Sequence, residues 1–66
     1  MNTYIIHSWT NFSFESEQII RCKKLEIINL SFGEFMADGV YVKIDIHNSI
    51  TITKTTELGV KTIFYQ

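Results

Sequence analysis

The sequence has no proline and only one cysteine among its 66 residues. A single thiol, Cys22, cannot cross-link its own chain, so a disulfide framework is excluded. A structural zinc site needs four ligands, and Cys22, His7 and His47 supply at most three of the usual nitrogen and sulfur kind. Because so short a chain buries only about 60% of the surface that it exposes when unfolded, we expect a tight core or another chain to stabilise it.

Long apolar runs and an excess of charge of one sign are also missing. No apolar stretch approaches the ~20 residues that a membrane-spanning helix requires, and the N-terminal segment lacks the cationic and apolar regions of a secretory signal. The net charge of −1 favours neither a strongly basic nucleic-acid-binding surface nor an acidic mimic of DNA. We therefore expect a soluble cytoplasmic protein that does not associate with membranes.

β-Branched side chains are abundant, whereas the residues that build helices are scarce. The chain contains eleven isoleucines, seven threonines and three valines, but one alanine and three leucines. Stiff branched side chains suit a pleated strand, whereas helix faces are usually built with alanine and leucine. No repeat or linker marks a domain boundary. The composition predicts one all-β domain over residues 1–66, a curled antiparallel sheet or small barrel of about five or six strands.

The clearest local pattern lies in residues 40–55, VYVKIDIHNSITITKT. Apolar and mostly polar side chains alternate on either side of residues 47–49, which predicts a β-hairpin. A three-residue loop at 47–49 would keep the isoleucines on one face. That register pairs Ile46 with Ile50 and Ile44 with Ile52.

The last strand is predicted to follow a three-residue loop at residues 57–59. Gly59 then occupies the third loop position, where a bulged turn needs a positive φ angle. The resulting register pairs Thr56 with Val60, Lys54 with Thr62, and Ile52 with Phe64. This strand would extend the apolar face of the hairpin at residues 40–55.

The earlier half of the chain is predicted to form shorter strands. Residues 2–10 form a strand whose two sides are Tyr4, Ile6, Ser8 and Ile5, His7, Trp9. Residues 17–32 are interpreted as two strands joined at Lys23–Lys24. One helix near residues 16–28, with Ser16 as its N-cap, is the alternative and would give an α+β fold. Residues 33–39 contain the turn dipeptide Asp38–Gly39 and are interpreted as a connector, with Phe35 and Met36 tucked inward.

Residues capable of catalysis or metal binding lack the spacing that such sites require. Neither a CxxC nor an HExxH spacing occurs, and no glycine-rich elbow surrounds Cys22. Glu15 and Glu17 would share a face of an extended strand, but paired catalytic carboxylates need a cleft that 66 residues can scarcely form. We expect no catalytic residue, metal or cofactor, and no enzymatic activity.

Apolar side chains outside a single core indicate a binding surface instead. Tyrosine and tryptophan are common interface anchors because they bury a large area and keep a polar tip. The hypothesis is a non-enzymatic interaction module, a homo-oligomer that binds a protein partner as a small inhibitor or accessory protein of a bacterium or phage. The candidate partner-binding residues are Trp9, Phe12, Phe14, Tyr41, Lys43, Ile63 and Tyr65. Of these, Tyr41 and Lys43 are expected to form one surface with Ile63 and Tyr65, on the outer face of the hairpin and the strand added to it.

Two alternatives use the same residues differently. Trp9, Phe12, Phe14 and Tyr41, with Arg21, Lys23, Lys24 and Lys43, could form a stacking platform for single-stranded nucleic acid, as small β-barrels do. Seven acidic residues against six basic ones make this partner possible but not favoured. The other alternative is a small-ligand sensor whose pocket lies between subunits.

Overall fold

The computed structural model describes residues 1–10 and 15–65, and for Tyr65 only the backbone. The described part is 72% strand and has no α-helix. Its only helical element is a short 3₁₀ turn. In chain order the elements are β1 (Asn2–Trp9), β2 (Glu15–Cys22), β3 (Leu25–Asn29), the 3₁₀ turn (Leu30–Phe32), β4 (Glu34–Ala37), β5 (Val40–Lys43), β6 (Ser49–Thr56) and β7 (Gly59–Tyr65).

The strands form two antiparallel sheets. The larger sheet has the order β2-β1-β6-β7 and the smaller sheet has the order β3-β4-β5. The all-β prediction is confirmed, although there are seven described strands and the sheets do not close into a barrel. No helix within the described residues is both long and apolar enough to cross a bilayer.

The helix proposed as an alternative near residues 16–28 is wrong. β2 and β3 occupy this segment and meet at a bend at Lys23–Lys24, as the strand interpretation predicted. β2 pairs along its whole length with β1, from Asn2 opposite Cys22 to Trp9 opposite Glu15. The backbone donors and acceptors that a helix would satisfy internally are satisfied by this neighbouring strand.

The hairpin predicted over residues 40–55, with its loop at 47–49, is wrong. β5 pairs only with β4, whereas β6 pairs with β1 and β7, so the two predicted arms belong to different sheets. Residues 44–48 run from the smaller sheet to the larger one. Alternation specifies that a segment is extended and which side is apolar, but it does not specify the strand beside it.

β5 forms its hairpin with β4, through the Asp38–Gly39 turn. Both residues have positive φ angles, 49° and 81°, which is the conformation of a two-residue type I′ turn. The prediction of a turn here is confirmed, but residues 33–39 are not only a connector, because Glu34–Ala37 form strand β4. Phe35 opposes Val42 in this hairpin and is completely buried, so its predicted inward position is confirmed. Met36, the next residue of β4, lies on the opposite side of the strand and pairs with the exposed Tyr41, so the same prediction for Met36 is wrong.

The β6–β7 connection is one residue shorter than predicted. Thr56 pairs with Gly59 across a two-residue turn, so the predicted pairs of Thr56 with Val60 and of Lys54 with Thr62 are wrong. A β-bulge at Ile63 then shifts the register. Thr62 opposes Thr53 and Phe64 opposes Ile52, so Ile63 has no opposing residue on β6. The bulge restores the predicted pairing of Ile52 with Phe64.

The core lies between the two sheets. Ile6, Ile50 and Ile52 from the larger sheet pack with Phe35 from the smaller one. Partly buried side chains surround this cluster: Ile20, Leu25, Leu30, Ile44, Ile46 and Phe64. Full burial of such a side chain stabilises a fold by about 1.5–3 kcal/mol, and the cluster is small because each sheet contributes one face.

Asp38 links the β4–β5 turn of the smaller sheet to the bend at the end of β2 in the larger sheet. Its carboxylate accepts hydrogen bonds from the backbone N–H groups of Lys23 (3.0 Å) and Lys24 (2.8 Å). Its own N–H donates to the Lys24 carbonyl at 3.0 Å. These backbone donors hold the pKa of Asp38 below its usual value. The carboxylate therefore joins the β4–β5 turn to the bend that follows β2.

Candidate interaction face

The outer side of the larger sheet is the candidate site. On β1, Tyr4, Ile6 and Ser8 are buried toward the smaller sheet, so Ile5, His7 and Trp9 lie on the opposite side. Residues paired across strands share a side, which extends this assignment to the neighbouring strands. We call the following set the open face: Thr3, Ile5, His7, Trp9, Glu15, Glu17, Ile19, Arg21, Ser49, Thr51, Thr53, Thr55, Val60 and Thr62.

The centre of the open face carries little charge. β6 contributes only serine and threonine, and β7 contributes Val60 and Thr62. All its carboxylates and its guanidinium lie on the edge strand β2. An uncharged centre bordered by charges is typical of protein interfaces, in which charged residues are depleted from the buried core.

An aromatic cluster occupies one end of the open face. The rings of His7 and Trp9 stack with centroids 4.7 Å apart and planes 29° from parallel. The Nε2 atom of His7 is hydrogen bonded to the Oε1 atom of Glu15 at 3.0 Å. The carboxylate thus fixes the imidazole, and the imidazole supports one face of the indole, which limits the side-chain entropy that Trp9 would lose on binding.

The other feature of the open face is the charge order along β2. Glu17 opposes His7, Ile19 opposes Ile5, and Arg21 opposes Thr3. Ile19 is 60% exposed between the two charged residues. Glu17 and Arg21 are four residues apart on one strand, which separates their Cα atoms by about 13 Å. Neither forms an ion pair among the described residues.

The candidate residues named from the sequence do not form one surface. Trp9 belongs to the open face, and Ile63, which is 43% exposed, lies at the bulge of β7. Tyr41 and Lys43 lie on β5 in the other sheet, so the expectation that they continue the surface of Ile63 and Tyr65 is wrong. Its premise, the hairpin over residues 40–55, does not exist. Phe12, Phe14 and the side chain of Tyr65 are outside the described part of the chain.

Tyr41 has a local partner instead. Its hydroxyl donates a hydrogen bond of 2.6 Å to the Oε2 atom of Glu34 on the adjacent strand. This bond, together with partial desolvation, raises the pKa of Tyr41. Met36 is the cross-strand partner of Tyr41, so this side of the smaller sheet mixes polar and apolar groups.

Ile5 and Ile19 are residues of the open face that were not named as binding residues from the sequence, and Arg21 was named only as a cation of the nucleic-acid alternative. The signal was present in ESEQIIRC, where every second residue from Glu15 onward gives Glu, Glu, Ile, Arg. This alternation identifies companions of Trp9 only when it is known that β2 lies beside β1 and in which register the two strands pair. The alternation within one strand does not reveal that register, which runs from Trp9 opposite Glu15 to Asn2 opposite Cys22.

Ligand and metal sites have little support in the described geometry. Clefts on the described surface include ones of about 240, 290 and 320 Å³, which are near the lower end of the roughly 300–1,000 Å³ of ligand pockets. The described residues contain no group of three or more His, Cys, Asp or Glu side chains that could hold a metal ion.

Comparison of the chain with protein-family models, with curated proteins and with solved structures finds no match.

Proposed function

We propose that this chain is a non-enzymatic protein-interaction module that works as a homo-oligomer and binds a protein partner, acting on it as a small inhibitor or accessory subunit. One observation carries the proposal: among the described residues, exposed large hydrophobic side chains outnumber buried ones. Six hydrophobic residues are buried. The exposed ones are Met1, Ile19, Ile27, Ile28, Phe32, Val40, Tyr41, Leu58, Val60 and Ile63.

The total surface supports the same proposal. The chain exposes 4801 Å², whereas a monomeric protein of 7.7 kDa exposes about 4,300 Å² on average. The excess reflects a thin molecule, 15 Å across its shortest axis. Two layers with a small core leave apolar area outside, and covering this area with another chain would stabilise the fold.

A nucleic-acid partner has weaker support from the same geometry. Trp9 lies beside Glu15 and Ser49, whereas Arg21 lies at the other end of β2, about 20 Å away along the strand. Lys43 is on the other sheet. A stacking platform needs cations around its aromatic rings, and neither Arg21 nor Lys43 lies beside Trp9.

The test combines oligomeric state with partner capture. Sedimentation velocity across the micromolar range should show a concentration-dependent oligomer, and a tagged chain should retain one protein from a bacterial lysate whether or not nuclease is added. Ile19→Asp should weaken both oligomerisation and capture of the partner protein more than Ile27→Asp does. Ile27→Asp is the equivalent change at an exposed residue of the smaller sheet. A monomer at all concentrations, or capture that nuclease removes, would overturn the proposal.

A further inference from the structure

We infer that the open face binds the open face of a second copy of this chain. The two copies are related by a two-fold axis that lies in the plane of the interface and runs perpendicular to the strands. This axis passes over Ile5, Ile19 and Thr53. This inference rests on the proposed function, whose homo-oligomer it describes. The three residues form one row, because Ile5 pairs with Ile19 on one side and with Thr53 on the other.

Charge order along β2 specifies this axis. A rotation about it lays β2 over the β2 of the other copy with its direction reversed. Glu17 of each copy then meets Arg21 of the other, and Ile19 meets Ile19. Each charge is too far from its counterpart in the same chain to pair, and the rotation supplies two symmetric ion pairs. A two-fold axis parallel to the strands would instead bring β2 over β7, leaving both charges without a partner.

The rest of the face is compatible with the same rotation. On β1, His7 meets Thr3 of the other copy, and on β6, Thr51 meets Thr55. No like charges oppose each other, because β1, β6 and β7 place no carboxylate, lysine or arginine on the open face. The two sheets would stack face to face at about 10 Å, the usual spacing of β-sandwiches.

The area is sufficient for a specific dimer. Four strands of seven or eight residues make a face of about 20 by 25 Å. Two copies would therefore bury at least about 1,000 Å², which reaches the lower bound for a specific interface. An interface of this size, with polar threonines at its centre, is expected to give micromolar rather than nanomolar affinity, so dimerisation should depend on concentration.

Edge-to-edge pairing of two β7 strands is less well supported. A β-bulge interrupts this strand at Ile63, and bulges protect sheet edges from pairing with other chains. Such an arrangement would also leave Ile19, which is 60% exposed, uncovered. The face-to-face arrangement covers Ile19 and leaves the edges as they are.

A charge-swap experiment tests the interface. The variants Glu17→Arg and Arg21→Glu each replace both ion pairs by like-charge contacts, and each should weaken dimerisation at least about tenfold in sedimentation equilibrium. An equimolar mixture of the two variants should form a heterodimer. The arginine introduced in one variant then faces the glutamate introduced in the other. The unchanged Arg21 of the first variant likewise faces the unchanged Glu17 of the second. The double variant Glu17→Arg/Arg21→Glu should dimerise within about threefold of the unchanged chain.

Controls separate this inference from the proposed function. Glu26→Arg makes the same charge change on β3 and should leave the dimer unaffected, and circular dichroism establishes that each variant is folded. A dimer that neither single variant weakens, or a mixture that stays monomeric, overturns this interface but leaves the homo-oligomer proposal in place. A monomeric unchanged chain overturns both.

Discussion

The buried hydroxyl of Ser8 accepts a hydrogen bond from the backbone N–H of His47. Ser8 is completely buried on β1, and His47 lies in residues 44–48, between β5 and β6. This bond holds the segment that crosses between the sheets against the larger sheet. It therefore helps to decide that β6 lies beside β1 rather than beside β5.

Ser8→Ala should destabilise the fold, because it removes a buried acceptor from the His47 N–H group. The expected loss in the free energy of unfolding is about 1–3 kcal/mol, measured by urea denaturation. Ser16→Ala is the matched control, since the Ser16 hydroxyl makes only an exposed contact of 3.4 Å with the Asp45 carbonyl. An equal loss in the two variants would contradict the role assigned to Ser8.

Gly33→Ala should be more harmful than Gly39→Ala. Gly33 has a φ angle of 69°, and a Cβ atom there would overlap the Ile44 carbonyl oxygen and lie 2.8 Å from Cγ1 of Ile46. Gly39 has a φ angle of 81° with nothing within 4 Å. The backbone strain alone costs about 1–2 kcal/mol, which is the loss expected for Gly39→Ala. The steric overlap should raise the loss for Gly33→Ala to at least about 3 kcal/mol, and similar denaturation midpoints would contradict this account.

Asp38→Asn should destabilise the protein at neutral pH and much less in acid. The pKa of Asp38 is lower in the folded chain than the ~3.9 of an unfolded aspartate. Its stabilising contribution is therefore complete above the unfolded pKa and is lost as the pH falls through the folded value. Urea denaturation of both proteins from pH 7 down to about pH 2 should show the two stabilities converging. Asp45→Asn, in residues 44–48, controls for the general effect of removing a carboxylate, and a difference independent of pH would oppose the assignment.

Tyr41 should ionise at higher pH than an ordinary tyrosine. Its folded pKa is raised, so the stability that its neutral hydroxyl contributes is present below the unfolded value of ~10 and is lost as the pH rises through the folded value. Absorbance titration of tyrosinate should show a late component that Tyr41→Phe removes. Glu34→Gln should move that component to lower pH, because the acceptor of the hydrogen bond loses its charge. A titration unchanged by Glu34→Gln would refute this hydrogen bond.

The first strand shows how much of the site local pattern could predict. Alternation in residues 2–10 separated Tyr4, Ile6 and Ser8 from Ile5, His7 and Trp9, and the structure buries the first set and leaves the second on the outer side. Alternation did not show which of the two sides faces outward, and Trp9 was named as a candidate because tryptophan is a common interface anchor. Ile19 was not identified, and Arg21 was grouped with Trp9 only as a cation of the nucleic-acid alternative, because the positions of both on the open face depend on the pairing of β2 with β1.

The sequence by itself determined that the chain is extended, which side chains share a side of one strand, and that a turn lies at Asp38–Gly39. Those properties depend on neighbours within a few residues: β-branched content, alternation, and the Asp38–Gly39 dipeptide. Only the tertiary structure decided that residues 40–55 are divided between two sheets. Both arms of the predicted hairpin have an apolar side, and the choice of partner follows from long-range contacts: the packing of Phe35 against Ile6 and Ile52, and the hydrogen bond between Ser8 and His47.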